Sequence, residues 1–289
     1  MNRCGVLVVM LVTLGACGGG DTERPLTFGG DRPVDLQVPA GFIEGKTYPL
    51  MVVLHGYSIN GFIQQAYLGI KALPDSGEAF IVAPDGLYNA ENRPYWNADP
   101  ACCDFDHTDP DDVAYLGGLI DQISTTWPID RDAVFAVGHA NGGYMAYRMA
   151  CDRAEAIAAV VVIAGGAGID PAACQPAQPV SVLHMHGTAD AEFNYEGNGP
   201  FQMAPGAPGA VESVTRWAGH DGCGATRTPG SALLDLDSVV TGPETRTESF
   251  DCASPIDVEL WTMEGTEHLP GMTDTFVPIV WPWLLDHRR

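Results

Sequence analysis

Three positions in this chain have the types, order and surroundings for acyl transfer, and one of them lacks the atom that would start the reaction. Val137-Gly138-His139-Ala140-Asn141-Gly142-Gly143-Tyr144 has the pattern of a strand end, a sharp turn and a helix start. Gly138 and Gly142, two before and two after residue 140, are the small residues that such a crowded turn needs, and the turn should present residue 140 above a sheet. A negative charge developing there would meet the free N–H groups and the dipole of the following helix. Asp190, after His186-Gly187-Thr188-Ala189, falls at the carboxyl end of a predicted strand, where an acid orienting an imidazole belongs. Glu192 is the fallback acid. His268, in Glu267-His268-Leu269-Pro270-Gly271, is the candidate base. The order nucleophile, acid, base suits ester hydrolysis: the imidazole accepts the nucleophile's proton and later protonates the leaving alcohol. Residue 140, however, is alanine, which has no lone pair. Losing the serine of a comparable triad costs on the order of 10⁶ in kcat.

The companions of these residues are also visible. His55-Gly56-Tyr57-Ser58 ends an early predicted strand, so the N–H of Tyr57 or Ser58, together with that of Asn141, would form an oxyanion hole. His55, Ser58, Trp96, His139, Tyr195 and Leu269 are expected to line the substrate site. Trp96 is placed near its mouth as a platform for an aromatic or polyester chain, while Trp281 and Trp283 are expected to pack within the last helix. His139, His184 and His186 have the character of turn or strand-end residues that bond locally. The acidic run from Asp104 to Asp112 brings carboxylates together but lacks the turn glycine and terminal glutamate of a regular calcium loop, so solvated charge and helix capping are expected there.

The elements that must position these groups follow from hydrophobic periodicity. Apolar runs at 49–54, 80–83, 133–137, 158–164, 180–185 and 258–263 alternate with amphipathic stretches at 111–127, 141–151 and 212–218, and a final helix lies near Trp283. This alternation predicts an α/β fold with a mostly parallel sheet covered on both faces. The Gly- and Pro-rich stretch 197–209 is expected to be a surface loop or lid element. No internal repeat or second core is apparent, so residues 34–289 are expected to form one domain.

Thirty-seven acidic residues against fourteen basic ones give a net charge of −23, and Lys46 and Lys71 are the only lysines. So negative a surface repels nucleic acid and anionic lipid. At the N-terminus Arg3, the apolar run 6–14 and Leu14-Gly15-Ala16-Cys17 make an export signal ending like a bacterial lipobox. Residues 1–17 are therefore expected to be a signal peptide with a lipobox-like end, Cys17 becoming the lipidated first residue of the mature chain, and 18–33 to be a tether; the alternative is an ordinary signal cleaved near Ala16, with Cys17 incidental. Any membrane contact would come through that anchor, and a monomer is expected. Six further cysteines, at 102, 103, 151, 174, 223 and 252, suit disulfides in an exported chain, with fifteen connectivities open. None forms a paired CxxC arrangement, which argues against zinc.

Taken together, His55-Gly56, Pro84-Asp85-Gly86, Trp96-Asn97, Cys102-Cys103, Asp111-Asp112-Val113, Gly142-Gly143-Tyr144-Met145-Ala146, His186-Gly-Thr-Ala-Asp190 and Tyr195-Glu-Gly197 resemble the polyhydroxybutyrate depolymerase/feruloyl esterase-like family of α/β-hydrolases. The resemblance runs from about Val34 to the C-terminus. It implies an α/β-hydrolase fold and a secreted carboxylic-ester hydrolase with a serine, aspartate and histidine triad and no cofactor. It also implies that Cys223 pairs with Cys252. Two departures stand out: the family pattern has serine where Ala140 stands, and usually tryptophan shortly after the histidine, where this chain has Leu269-Pro270. Ala140 fits two readings, a serine replaced to trap intact ester or a natural relative that binds without cleaving.

Overall fold

The computed structural model describes residues 24–201, 205–272 and 274–289. The expected export signal, Cys17 and the start of the tether lie outside the described residues. In chain order the elements are β1 (Thr27–Phe28), β2 (Val34–Gln37), β3 (Tyr48–Leu54), α1 (Gly61–Tyr67), α2 (Ala72–Asp75), β4 (Phe80–Val82), β5 (Leu87–Tyr88), β6 (Pro94–Tyr95), α3 (Asp112–Thr126), β7 (Ile129–His139), α4 (Asn141–Asp152), β8 (Ala159–Ile163), β9 (Ser181–Gly187), α5 (Ala210–His220), β10 (Arg227–Pro229), β11 (Thr245–Phe250), β12 (Val258–Met263) and α6 (Phe276–Asp286).

One sheet runs in the order β1-β2-β4-β3-β7-β8-β9-β12-β11-β10. Its middle, β4 through β12, is parallel, and the strands beyond β4 and β12 turn antiparallel. Buried apolar side chains alternate between the two faces: Leu50, Val52 and Leu54 pack with α3, α4 and α5, while Met51 and Val53 pack with α6 and the residues around α2. Both faces being covered explains why these strands are mostly apolar. This is the α/β-hydrolase fold.

The folded domain includes residues outside the expected 34–289. Residues 24–33, assigned above to the tether, belong to it: β1 pairs with β2, Trp127 Nε1 donates to the Pro25 carbonyl at 2.9 Å, and Arg32 pairs with the buried Asp112 at 2.6 Å. A buried carboxylate that needs a cation from this segment is the physical reason it is fixed. Disulfides join Cys102 to Cys103, Cys151 to Cys174 and Cys223 to Cys252. Among the described residues no helix is long and apolar enough to cross a membrane.

β3 is followed by β4 on one side, and the chain then returns to place β7 on β3's other side. The carboxyl ends of β3 and β7 therefore face a crevice where the connections diverge, the place where open α/β sheets hold ligands. His55-Gly56 leaves β3 there and Ala140 leaves β7.

Candidate active site

The turn at residue 140 is as tight as its glycines suggest. Ala140 has φ 51° and ψ −118°, a backbone region that an L-residue adopts only under constraint from its surroundings. A Cβ on Gly138 would lie 2.0 Å from the Gly142 carbonyl oxygen, and one on Gly142 would lie 2.1 Å from that of Leu54. A side chain at 138 would push β7 and α4 apart, and one at 142 would push α4 away from the end of β3. Ala140 N–H donates to Ile163 O at 2.8 Å, and its own carbonyl accepts from Gly143 at 2.9 Å, which carries the chain directly into α4. Ala140 is only 4% exposed, so residue 140 lies on the floor of the site and does not stand proud of it. The loop after β3 covers it: a Cβ at Gly56 would sit 3.5 Å from the Ala140 Cβ.

His268 and Asp190, 78 residues apart, meet at 2.8 Å through Nδ1 and Oδ2. The carboxylate can only accept here, so Nδ1 carries the proton and Nε2 is left as the basic nitrogen. Asp190 Oδ1 accepts from the N–H groups of Glu192 and Phe193, each at 2.9 Å. Burial alone would raise this carboxyl, but the side chains of His186 and His268 beside it outweigh that effect and hold it well below the usual carboxylate range. The His268 ring, 8% exposed, stacks on Phe193 at 5.2 Å and lies 4.9 Å from the His139 ring. His139 immediately precedes Ala140, and its Nε2–H donates to the His268 carbonyl at 2.8 Å, which ties the turn to the histidine loop. Glu192 Oε2 lies 3.7 Å from His268 Nε2, on the side away from Asp190.

Several residues missed from sequence hold that loop. Tyr67 on α1 donates to Pro270 O at 2.6 Å, and Asp237 Oδ1 accepts from Gly271 N at 2.7 Å. A Cβ at Gly187 would lie 2.1 Å from Thr266 O, so the end of β9 and the histidine loop touch through glycine. Gly187, the last residue of β9, was the one sequence signal of this approach.

Other expected site residues are placed differently. Trp96 is not at the mouth; it is 0% exposed. Its backbone exchanges two hydrogen bonds with the Asn141 side chain, N–H to Oδ1 at 2.7 Å and Nδ2 to O at 2.9 Å, and its indole donates to His55 O at 3.1 Å. Trp96 is thus a buried strut that Asn141 clamps. His55 is also buried and cannot line a substrate surface: Nε2 accepts from Gly86 N at 2.8 Å, which leaves Nδ1–H to its own neighbour Gly56 O, and burial pushes its pKa down to about 4. His139 is likewise buried, its pKa lowered by burial to about 3. The Ser58 N–H is committed to Pro94 O at 3.0 Å, which leaves Tyr57 as the oxyanion candidate beside Asn141 at the first turn of α4. Tyr195 is half-buried, bonded through its hydroxyl to Thr262 at 2.8 Å, and borders a small polar cavity behind Asp190. Leu269 is 62% exposed beside His268, where a rim residue would be. Trp281 and Trp283 pack within α6 as expected, their indoles meeting Glu78 and Glu259.

The acidic run spends its carboxylates locally. Asp104 accepts from Asp109 N at 2.7 Å, Asp106 from Ala90 N at 2.7 Å, Asp111 caps α3 through Ala114 N at 2.9 Å, and Asp112 takes Arg32 and Asn97 N. Among the described residues no group of three or more His, Cys, Asp or Glu is arranged to hold a metal.

Over 253 aligned residues the chain is 29% identical to feruloyl esterase B of Piromyces equi, covering 83% of this chain and 43% of that protein, so it spans less than half of that relative's length. It is 28% identical to feruloyl esterase D of Neurospora crassa, covering 91% of this chain and 86% of the relative. Among solved structures, an acetyl xylan esterase from Aspergillus awamori matches with a TM-score of 0.58 at 14% identity, over 88% of this chain and 94% of that one. At that identity the likeness speaks for the fold. No protein-family profile matches the chain. The chain thus has the α/β-hydrolase fold and is similar in sequence to feruloyl esterases over most of its length.

Proposed function

We propose that this chain is a carboxylic-ester hydrolase scaffold of the serine, histidine and aspartate type, written with Ala140 in the nucleophile's place, so that it binds ester without forming an acyl-enzyme. The observation that carries the reading is the Asp190–His268 pair, joined at 2.8 Å and tied through His139 to a strained turn at residue 140. Nothing in an inert scaffold calls for a buried, ionised carboxylate held against an imidazole whose other nitrogen is free to accept.

With a serine hydroxyl at 140, His268 Nε2 takes its proton as the oxygen attacks the ester carbonyl, and Asp190 steadies the imidazolium that forms. The N–H groups of Asn141 and Tyr57 receive the oxyanion. His268 then protonates the leaving alcohol, and water repeats the sequence in reverse. The relatives' names point to feruloyl or acetyl esters as substrates. The sequence resemblance adds hydroxyalkanoate polyesters. Three disulfides support an exported protein. A lipid on Cys17 would anchor it to the envelope as a monomer.

The test is a panel of p-nitrophenyl acetate, methyl ferulate, acetylated xylan and a short hydroxybutyrate oligomer, assayed on the chain as written and on Ala140→Ser. Turnover that appears only with serine supports the proposal. The absence of an oxygen on residue 140 favours a second reading, a natural ester- or polysaccharide-binding lipoprotein without catalysis. That reading predicts tight calorimetric binding in the written chain and no turnover when serine is introduced into a folded protein.

A further inference from the structure

Asp190 has a second imidazole behind it, and that ring begins a buried polar chain. His186 Nε2 lies 2.7 Å from the Phe193 carbonyl oxygen and 3.4 Å from Asp190 Oδ2. A carbonyl oxygen only accepts, so His186 Nε2 carries a proton, which it gives to Phe193 O with Asp190 Oδ2 close beside it. The other nitrogen, Nδ1, is 3.1 Å from His184 Nε2, and His184 Nδ1 is 2.9 Å from the hydroxyl of Tyr147. The two rings stack at 5.4 Å with 10° between their planes. His184, His186 and Tyr147 are all buried. Burial disfavours charge on His184 strongly.

These distances allow one self-consistent assignment for uncharged rings. His186 with its proton on Nε2 must accept at Nδ1, so His184 Nε2 donates; His184 Nδ1 must then accept, so Tyr147 donates its hydroxyl proton. Every donor points the same way, from Tyr147 toward the carboxylate. An imidazolium at His186 would reverse each bond as far as Tyr147.

We propose that His186 is a positioning residue for Asp190, and that Tyr147 and His184 fix the tautomer with which it does so. The inference rests on the reading of Asp190 and His268 as acid and base. Oδ1 of Asp190 is held by the backbone N–H groups of Glu192 and Phe193; His186 Nε2–H anchors the Phe193 carbonyl and places its ring 3.4 Å from Oδ2, where His268 binds. Without it the Oδ2 side keeps, among the described residues, the His268 contact, and the carboxylate is freer to swing about its Oδ1 anchors.

Long-range ¹⁵N–¹H correlation spectra of the folded chain as written report the tautomer of each histidine directly. Both His184 and His186 should show the Nε2–H form; an Nδ1–H or doubly protonated form at either ring overturns the inference. The same spectra follow the downfield Nδ1 proton of His268. That signal should shift and broaden in His186→Leu and stay close to its original position in His186→Gln, which keeps a donor. An unchanged signal in a folded His186→Leu protein also overturns the inference. In the Ala140→Ser background, His186→Leu should lower kcat by about tenfold to a hundredfold with KM nearly constant, and His186→Gln should restore part of the loss. Equal kcat in Ala140→Ser with and without His186→Leu contradicts the role. If Ala140→Ser itself proves inactive, the functional reading fails, and the tautomers and the His268 signal still decide this inference.

Discussion

Gly142 lies so close beneath Leu54 that a single added carbon would come within 2.1 Å of the Leu54 carbonyl oxygen. This contact brings the start of α4, with Asn141, against the end of β3, which the loop carrying Tyr57 follows. Gly142→Ala should therefore force the two elements apart, costing about 3 kcal/mol or more of stability. Thermal unfolding measures it, and Gly219→Ala, at a position where an added Cβ meets nothing within 4 Å, is the matched control.

Trp96 and Leu269 should separate cleanly in mutagenesis. Trp96 is enclosed and clamped by Asn141, so Trp96→Ala should cost about 3–5 kcal/mol as a core truncation. Exposed Leu269 should do the opposite: Leu269→Ala in the Ala140→Ser background should change KM while leaving the unfolding midpoint within about 0.5 kcal/mol of its parent. Denaturant unfolding and steady-state kinetics on the same preparations check both.

Asp221, at the end of α5, sits largely buried with Oδ2 lacking a hydrogen-bond partner, and burial pushes its carboxyl up to about 7 from an ordinary 3.8. The folded state thus binds a proton that the unfolded state has already released, between about pH 4 and about pH 7. Stability contributed by this site falls as pH rises through that window, and the full penalty is present above it. Asp221→Asn should stabilise the protein by roughly 1–3 kcal/mol near pH 8 and leave it nearly unchanged near pH 4. Urea unfolding at the two pH values gives the difference.

How much of this was legible in the sequence depended on how local each signal was. The turn at 140 announces itself because Gly138 and Gly142 answer a steric demand within five residues, and the parallel strands because burial on both faces leaves few polar positions. Asp190 and His268 could be picked out by their places after strands. Trp96 could not, since its burial is decided by the Asn141 side chain 45 residues away. His55 hides for a similar reason, its Nε2 being taken up by Gly86. Strand β11, Thr-Arg-Thr-Glu-Ser-Phe, has no apolar run to betray it; it forms because β12 offers a free edge for pairing. Residues 24–33 look like a polar tether, yet Arg32 is drawn into the body by the buried charge of Asp112.

The claim on which the account depends is that residue 140 lies where an oxygen would be activated by His268. A p-nitrophenyl alkylphosphonate tests this without knowledge of the natural ester, because it captures any serine activated in this way. Intact mass and peptide mapping of Ala140→Ser should show one phosphonyl group per chain, located on residue 140, with none on the chain as written and the labelling rate falling by about 10³ or more in Ala140→Ser/His268→Ala. A folded, disulfide-bonded Ala140→Ser protein that takes up no label at residue 140 would contradict the account.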